Sequence, residues 1–163
     1  MVTTEEHKAA ILRHVYYEIA RCVFIQAGEQ QFDEWWVSHI MHARVLMDFF
    51  ECKRLGNDDV GCTDFGFPKQ SLSISEWYRH KMNKDLAHLT YSRAKRTLNT
   101  QIWVPEDVIG PIRTVSREFV QHIVTSPPSL ADQKELECWR EMLILFDTGQ
   151  GNLRFPEVSR VID

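Results

Sequence analysis

The chain has no Cys-x-x-Cys pair, no Glu-x-x-His pair and no surplus of basic residues. It also has no apolar run near the roughly 18 residues that cross a bilayer. Each absence removes a class of function. The four cysteines, Cys22, Cys52, Cys62 and Cys138, follow no regular spacing, which argues against a zinc site. They read as reduced thiols that fill core space. A di-iron bundle draws ligands from two Glu-x-x-His pairs, and the nearest match is a single Asp85-x-x-His88. No metal or cofactor is therefore expected. Without a long apolar run there is no membrane span, and the polar opening Met1-Val2-Thr3-Thr4-Glu5-Glu6 does not read as a secretory signal. The expected compartment is the cytoplasm. With 19 Lys and Arg against 23 Asp and Glu, the chain lacks the global basic field that holds long nucleic acid, and nothing in it signals DNA. Only a local basic patch could serve RNA. Strand patterns, internal repeats and low-complexity tracts are missing too.

What remains is helical. A chain of 163 residues suits one domain, and its 44% hydrophobic content supplies a core for it. A first helix is expected over about 4 to 27, opened by a Thr3/Glu6 capping box and closed by Gly28. Its inward stripe would be Ile11, Val15, Ile19, Cys22 and Ile25 or Gln26. A second helix should run from about Asp33, its N-cap, to Arg54, with Gly56 as the stop. It is apolar nearly all round, from Trp35, Trp36 and Val37 to Phe49 and Phe50, which suits a central helix or a subunit interface. Residues 55–73 form the longest break and read as a loop, an insertion or mobile segment. Ser73 and Glu76 would cap a third helix over about 74 to 97. A fourth should begin at Pro105 and break at Gly110-Pro111 before continuing to about Val124. A fifth follows Ser129 as cap and ends at Gly149, leaving an irregular tail over 150–163. The expected architecture is an all-α antiparallel bundle of four to five helices in a single domain.

The most informative stretch is Met82-Asn83-Lys84-Asp85-Leu86-Ala87-His88. It resembles the Arg-Asn-Lys-x-x-Ala-His motif of the HEPN superfamily of helical ribonucleases, with Met82 at the arginine position. The resemblance covers about seven residues and a helical bundle of suitable length. It implies a homodimer formed through the motif helices and, in an active member, metal-independent cleavage of RNA. It extends more loosely to members in phage defence and toxin–antitoxin systems. In such a nuclease His88 would be the acid or base and Asn83 would orient phosphate or histidine. A guanidinium must steady the charge gained at phosphorus, and Arg44, Arg79 or Arg93 would have to supply it. A further Arg-x4-His match, Arg117 to His122, is of a kind that chance readily produces.

A second constellation lies on the second helix: His39, His42, Arg44 and Asp48. Arg44 and Asp48, four apart, can share a face and pair. Polar groups in so apolar a helix need partners, because unpaired burial is costly. The third helix adds Arg79, Lys81, Lys84, Arg93, Lys95 and Arg96 among Trp77, Tyr78 and Tyr91, a pattern that serves RNA or a solvated helix face. The leading expectation is a HEPN-like module that binds RNA or a protein partner through helices two and three, with Asp48, Lys84, His39 and His42 in the binding surface. The rivals are a metal-dependent bundle enzyme using His39, His42 and His88, and a purely structural helical protein.

Overall fold

The computed structural model describes residues 5–24, 32–53, 56, 59–83, 104–129 and 131–155, and the side chains of residues 7–24 and 39–53 within the first two helices. The expected features at Thr3, Gly28, Lys84, His88, Arg93 and residues 156–163 lie outside these residues, as do the side chains of Trp35, Trp36 and Val37. Among the described residues the chain is all helical, with no strand. The elements are α1 (Glu5–Ile19), α2 (Phe32–Phe50), α3 (Glu76–Lys81), α4 (Pro105–Thr125) and α5 (Gln133–Thr148). They pack as a helical bundle around one apolar core.

In α1 the residues Leu12, Val15, Tyr16 and Ile19 are buried. The α-helix then widens into a π-helical turn over Ala20–Phe24, which keeps Ala20 and Cys22 both inward. α2 begins at Phe32, so Asp33 stands inside its first turn rather than before it. It ends at Phe50, six residues ahead of the expected glycine. The Lys53 amide donates to the Asp48 carbonyl and the Cys52 amide to the Phe49 carbonyl, the paired bonds of a Schellman ending. Cys52 takes the left-handed position, at φ 49°, that glycine usually fills there.

The segment expected as a loop over 55–73 is irregular over its described residues 59–73, as a loop should be, but it is packed against the bundle as a strap rather than loose. It contains a 3-10 turn, Cys62–Phe65, and buries Cys62, Phe65, Phe67 and Leu72. Phe119 of α4, fully buried, receives Phe67 at 5.4 Å, Phe49 at 5.3 Å and Phe50 at 5.8 Å between ring centres. These edge-on contacts are the favoured aromatic geometry. His122 fastens the strap from outside through a 2.9 Å hydrogen bond with the Phe65 carbonyl. The glycines and acidic residues of the segment signal its irregular backbone, and Phe65, Phe67 and Leu72 supply its packing.

α3 is capped by Ser75, whose hydroxyl accepts from the Tyr78 amide at 3.4 Å, not by Ser73. Residues 82 and 83 continue it as a π-turn. Tyr78 donates its hydroxyl proton to Asp107 at 2.8 Å and accepts from the Val104 amide, which ties α3 to the start of α4. α4 runs unbroken through Gly110-Pro111. A side chain before proline normally disfavours helical backbone, and Gly110 has none to clash. Asp132, rather than Ser129, caps α5 by accepting from the Glu135 amide at 2.7 Å. Gly149 ends α5 in the left-handed conformation, as expected. The start of the tail is docked, since Tyr16 donates to the Arg154 carbonyl at 2.6 Å and Phe155 packs on Tyr16 and Tyr17.

Candidate functional site

α2 presents two different surfaces. Its inward positions Ile40, Ala43, Leu46, Met47 and Phe50 are buried in the bundle. Met41, Arg44, Val45 and Asp48 recur at steps of three, one and three, so they share a stripe about 100° wide on the other side. Met41 and Val45 are 41% and 49% exposed, while Arg44 and Asp48 are half-buried. Burial pushes the Asp48 carboxyl above its ordinary range, and Lys53 and then Arg44 pull it back in part. Beside this stripe runs a groove of about 390 Å³ between α1 and α2, with His14, Glu18, Asp48 and Phe49 among its lining and Lys53, Asp59 and Val60 closing one end. Exposed Tyr17 stands on α1 next to His42, at 5.7 Å between rings.

The polar groups expected in a site are distributed as follows. His42 Nδ1 lies 2.7 Å from Glu18 Oε2, an inter-helix contact that anchors α1 to α2. His39 is buried. Arg79 is committed elsewhere: its two terminal nitrogens donate to Glu51 at 2.7 and 2.6 Å, and it also donates to the carbonyls of Ile74 and Leu72. Four bonds of that kind nearly exhaust the five N–H donors of a guanidinium. Burial alone would raise the Glu51 carboxyl, but hydrogen bonds from Arg79, Lys53 and the Leu72 amide prevail and hold it below its usual value. Arg79 therefore clamps the start of α3 to the end of α2 and is not held ready for a phosphate.

Met82 is buried in the core, in line with buried Tyr78. Asn83, the next residue, is exposed. Lys81 is buried with its ammonium 3.7 Å from the centre of the Trp77 ring, so it is a packed cation rather than part of a solvated basic face. Arg117 pairs with Asp147 and His122 holds the strap, so this second Arg-x4-His match does not converge on one site. Among the described residues no three His, Cys, Asp or Glu side chains are grouped as metal ligands.

Sequence reasoning missed the Glu18–His42 contact and the approach of Cys52 to Cys62, whose sulfurs lie 3.6 Å apart. No local pattern signals either one. The first joins two helices 24 positions apart, and the second depends on how the strap folds back. No protein-family model matches the chain, and no curated protein or solved structure matches it either.

Proposed function

We propose that the chain is a HEPN-like interaction module that self-associates through the outward stripe of α2. The observation that carries this reading is the row Met41, Arg44, Val45 and Asp48, two exposed apolar side chains alternating with one cation and one anion. Lone exposed apolar residues are common, but a row at helical spacing beside an apolar groove is the pattern of a helix–helix contact. Opposite charges within one stripe also suit a two-fold interface, where Arg44 of one copy can meet Asp48 of an inverted copy and the reverse. The same composition disfavours RNA, since Glu18, Asp48 and Asp59 lie along the groove with Lys53. The family resemblance also implies a homodimer, although one formed through the motif helices rather than through α2. Arg79, which could have replaced the arginine missing at Met82, is bound to Glu51 instead.

Sedimentation equilibrium of the wild-type chain and Val45→Asp tests this. The expected result is a wild-type dimer whose dissociation constant rises about 100-fold or more in the variant, from loss of apolar contact and a carboxylate placed in the seam. A wild-type chain that stays monomeric at high concentration, or a variant that associates equally well, overturns the reading. Tight binding of a short single-stranded RNA that Val45→Asp abolishes would favour a nucleic-acid surface instead.

A further inference from the structure

Cys52 and Cys62 are ten residues apart in sequence, with their sulfurs 3.6 Å apart across the junction of α2 and the strap. Several features of the backbone produce this approach. The Schellman ending of α2 puts Cys52 in the left-handed conformation, a position non-glycine residues occupy at a cost of about 1 kcal/mol or more. Gly61 lets the strap pass directly over it: a Cβ there would stand 2.8 Å from the Cys52 sulfur. The strap is then pinned by buried Phe65, Phe67 and Leu72, so the two sulfurs face each other from rigid supports.

The two thiols occupy different environments. Cys62 is fully buried and donates its proton to the Phe50 carbonyl at 3.3 Å, with the Pro68 carbonyl at 3.6 Å. Cys52 is half-buried, with the Thr63 hydroxyl 3.6 Å from its sulfur and the Phe49 carbonyl 3.8 Å away. We propose that these two residues form an oxidisable dithiol, in which a small hydroperoxide attacks at Cys52 and Cys62 resolves the product to an intramolecular disulfide.

The chemistry balances with hydrogen peroxide as the oxidant. The Cys52 thiolate attacks one peroxide oxygen, the O–O bond breaks, and the departing hydroxide takes up the proton that the thiol released, giving water and a sulfenic acid. Sulfur is oxidised by two electrons and the peroxide is reduced. The Cys62 sulfur then attacks the Cys52 sulfur, the S–O bond breaks, and the hydroxyl leaves with the Cys62 proton as a second water. Two thiols and one peroxide become one disulfide and two waters.

The titration of the pair agrees with these roles. Burial would raise the Cys52 thiol, but hydrogen bonds from the Thr63 amide and hydroxyl and from Cys62 outweigh it and hold the thiol below its ordinary value. Cys62 is pushed up to about 12, by burial first and by Cys52 second, so it stays a protonated thiol until Cys52 has reacted. Cys22 is also pushed up to about 12, mainly by burial, and burial raises Cys138 as well. Those two are the internal controls, since the thiolate is the reactive form.

The experiment treats the full-length chain with hydrogen peroxide, blocks remaining thiols with N-ethylmaleimide and maps peptides by mass under non-reducing conditions. The expected product links the Cys52 and Cys62 peptides, reverts with dithiothreitol and leaves Cys22 and Cys138 alkylated. Cys62→Ser should stop at a Cys52 sulfenic acid that dimedone captures. Cys52→Gly, which suits the left-handed backbone, should form no intramolecular disulfide while keeping its helical circular dichroism. Cys52 should also alkylate about tenfold faster than Cys22 or Cys138 in the native chain at neutral pH. Oxidation spread evenly over the four thiols, or a Cys52 that peroxide leaves untouched in native protein, overturns the proposal.

Discussion

The two faces of α2 differ in how their polar and apolar groups are satisfied. At the inward end, Glu51 receives Arg79, Lys53 and the Leu72 amide, while Phe49 and Phe50 join the ring cluster around Phe119. On the outward side, Met41 and Val45 project toward solvent with Arg44 and Asp48 alongside them. The same helix therefore holds the bundle together on one side and offers a surface on the other. A residue's chemical type does not reveal which role it has. Arg79 and Arg44 were equal candidates for a catalytic cation, yet one is locked into a carboxylate and two carbonyls and the other stands on the outer stripe.

The largest effect expected from breaking this contrast lies at the clamp. Glu51→Ala should lower the stability of the fold by about 3 kcal/mol in urea denaturation, because it leaves the Arg79 guanidinium half-buried without its counter-charge. A loss under about 0.5 kcal/mol would mean that water replaces the carboxylate at no cost and that the clamp is only a surface pair. The clamp should also respond to acid. The Glu51 carboxyl is held below its ordinary 4.5 in the fold, so its contribution is complete above that pH and is lost as pH falls through the lower folded value. Wild type should therefore lose stability below about pH 4.5 more steeply than Glu51→Gln, and parallel acid curves would contradict the assignment. The smallest effect belongs to the outer face. Val45→Asp, measured at a concentration where the chain is monomeric, should change stability by no more than about 0.5 kcal/mol. A loss of several kcal/mol would show that Val45 is core material and not part of a contact surface.

The helical class and the order of the elements could be read from the sequence because apolar spacing and caps act locally. Gly149, Tyr78 and Met82 fell where their pattern put them. The end of α2 and the continuity of α4 through Pro111 could not be read the same way. Cys52 adopts a glycine conformation without being glycine, and α4 continues through Pro111, where Gly110 relieves the clash with the preceding side chain but not the lost amide donor. The strap was obscured because its order comes from Phe65 and Phe67 reaching a helix more than 50 positions away, through packing that no local pattern encodes. The candidate site was legible only in part. Of the outer stripe, the sequence singles out only Arg44 and Asp48; that Met41 and Val45 also point outward depends on where α1 and α4 pack. The histidine of the ribonuclease-like stretch, with Lys84 and Arg93, lies outside the described residues, while Met82 sits in the core where a charged arginine would need a buried partner.

The most direct test of a self-complementary α2 stripe mixes two charge-reversal variants, Arg44→Asp and Asp48→Arg, and measures mass by sedimentation equilibrium. Each variant alone places like charges across the two-fold axis and should be monomeric where wild type is dimeric. Mixed one to one, they restore opposite charges on both sides and should form a heterodimer. Variants that dimerise alone as wild type does, or a mixture that stays monomeric, would contradict the account.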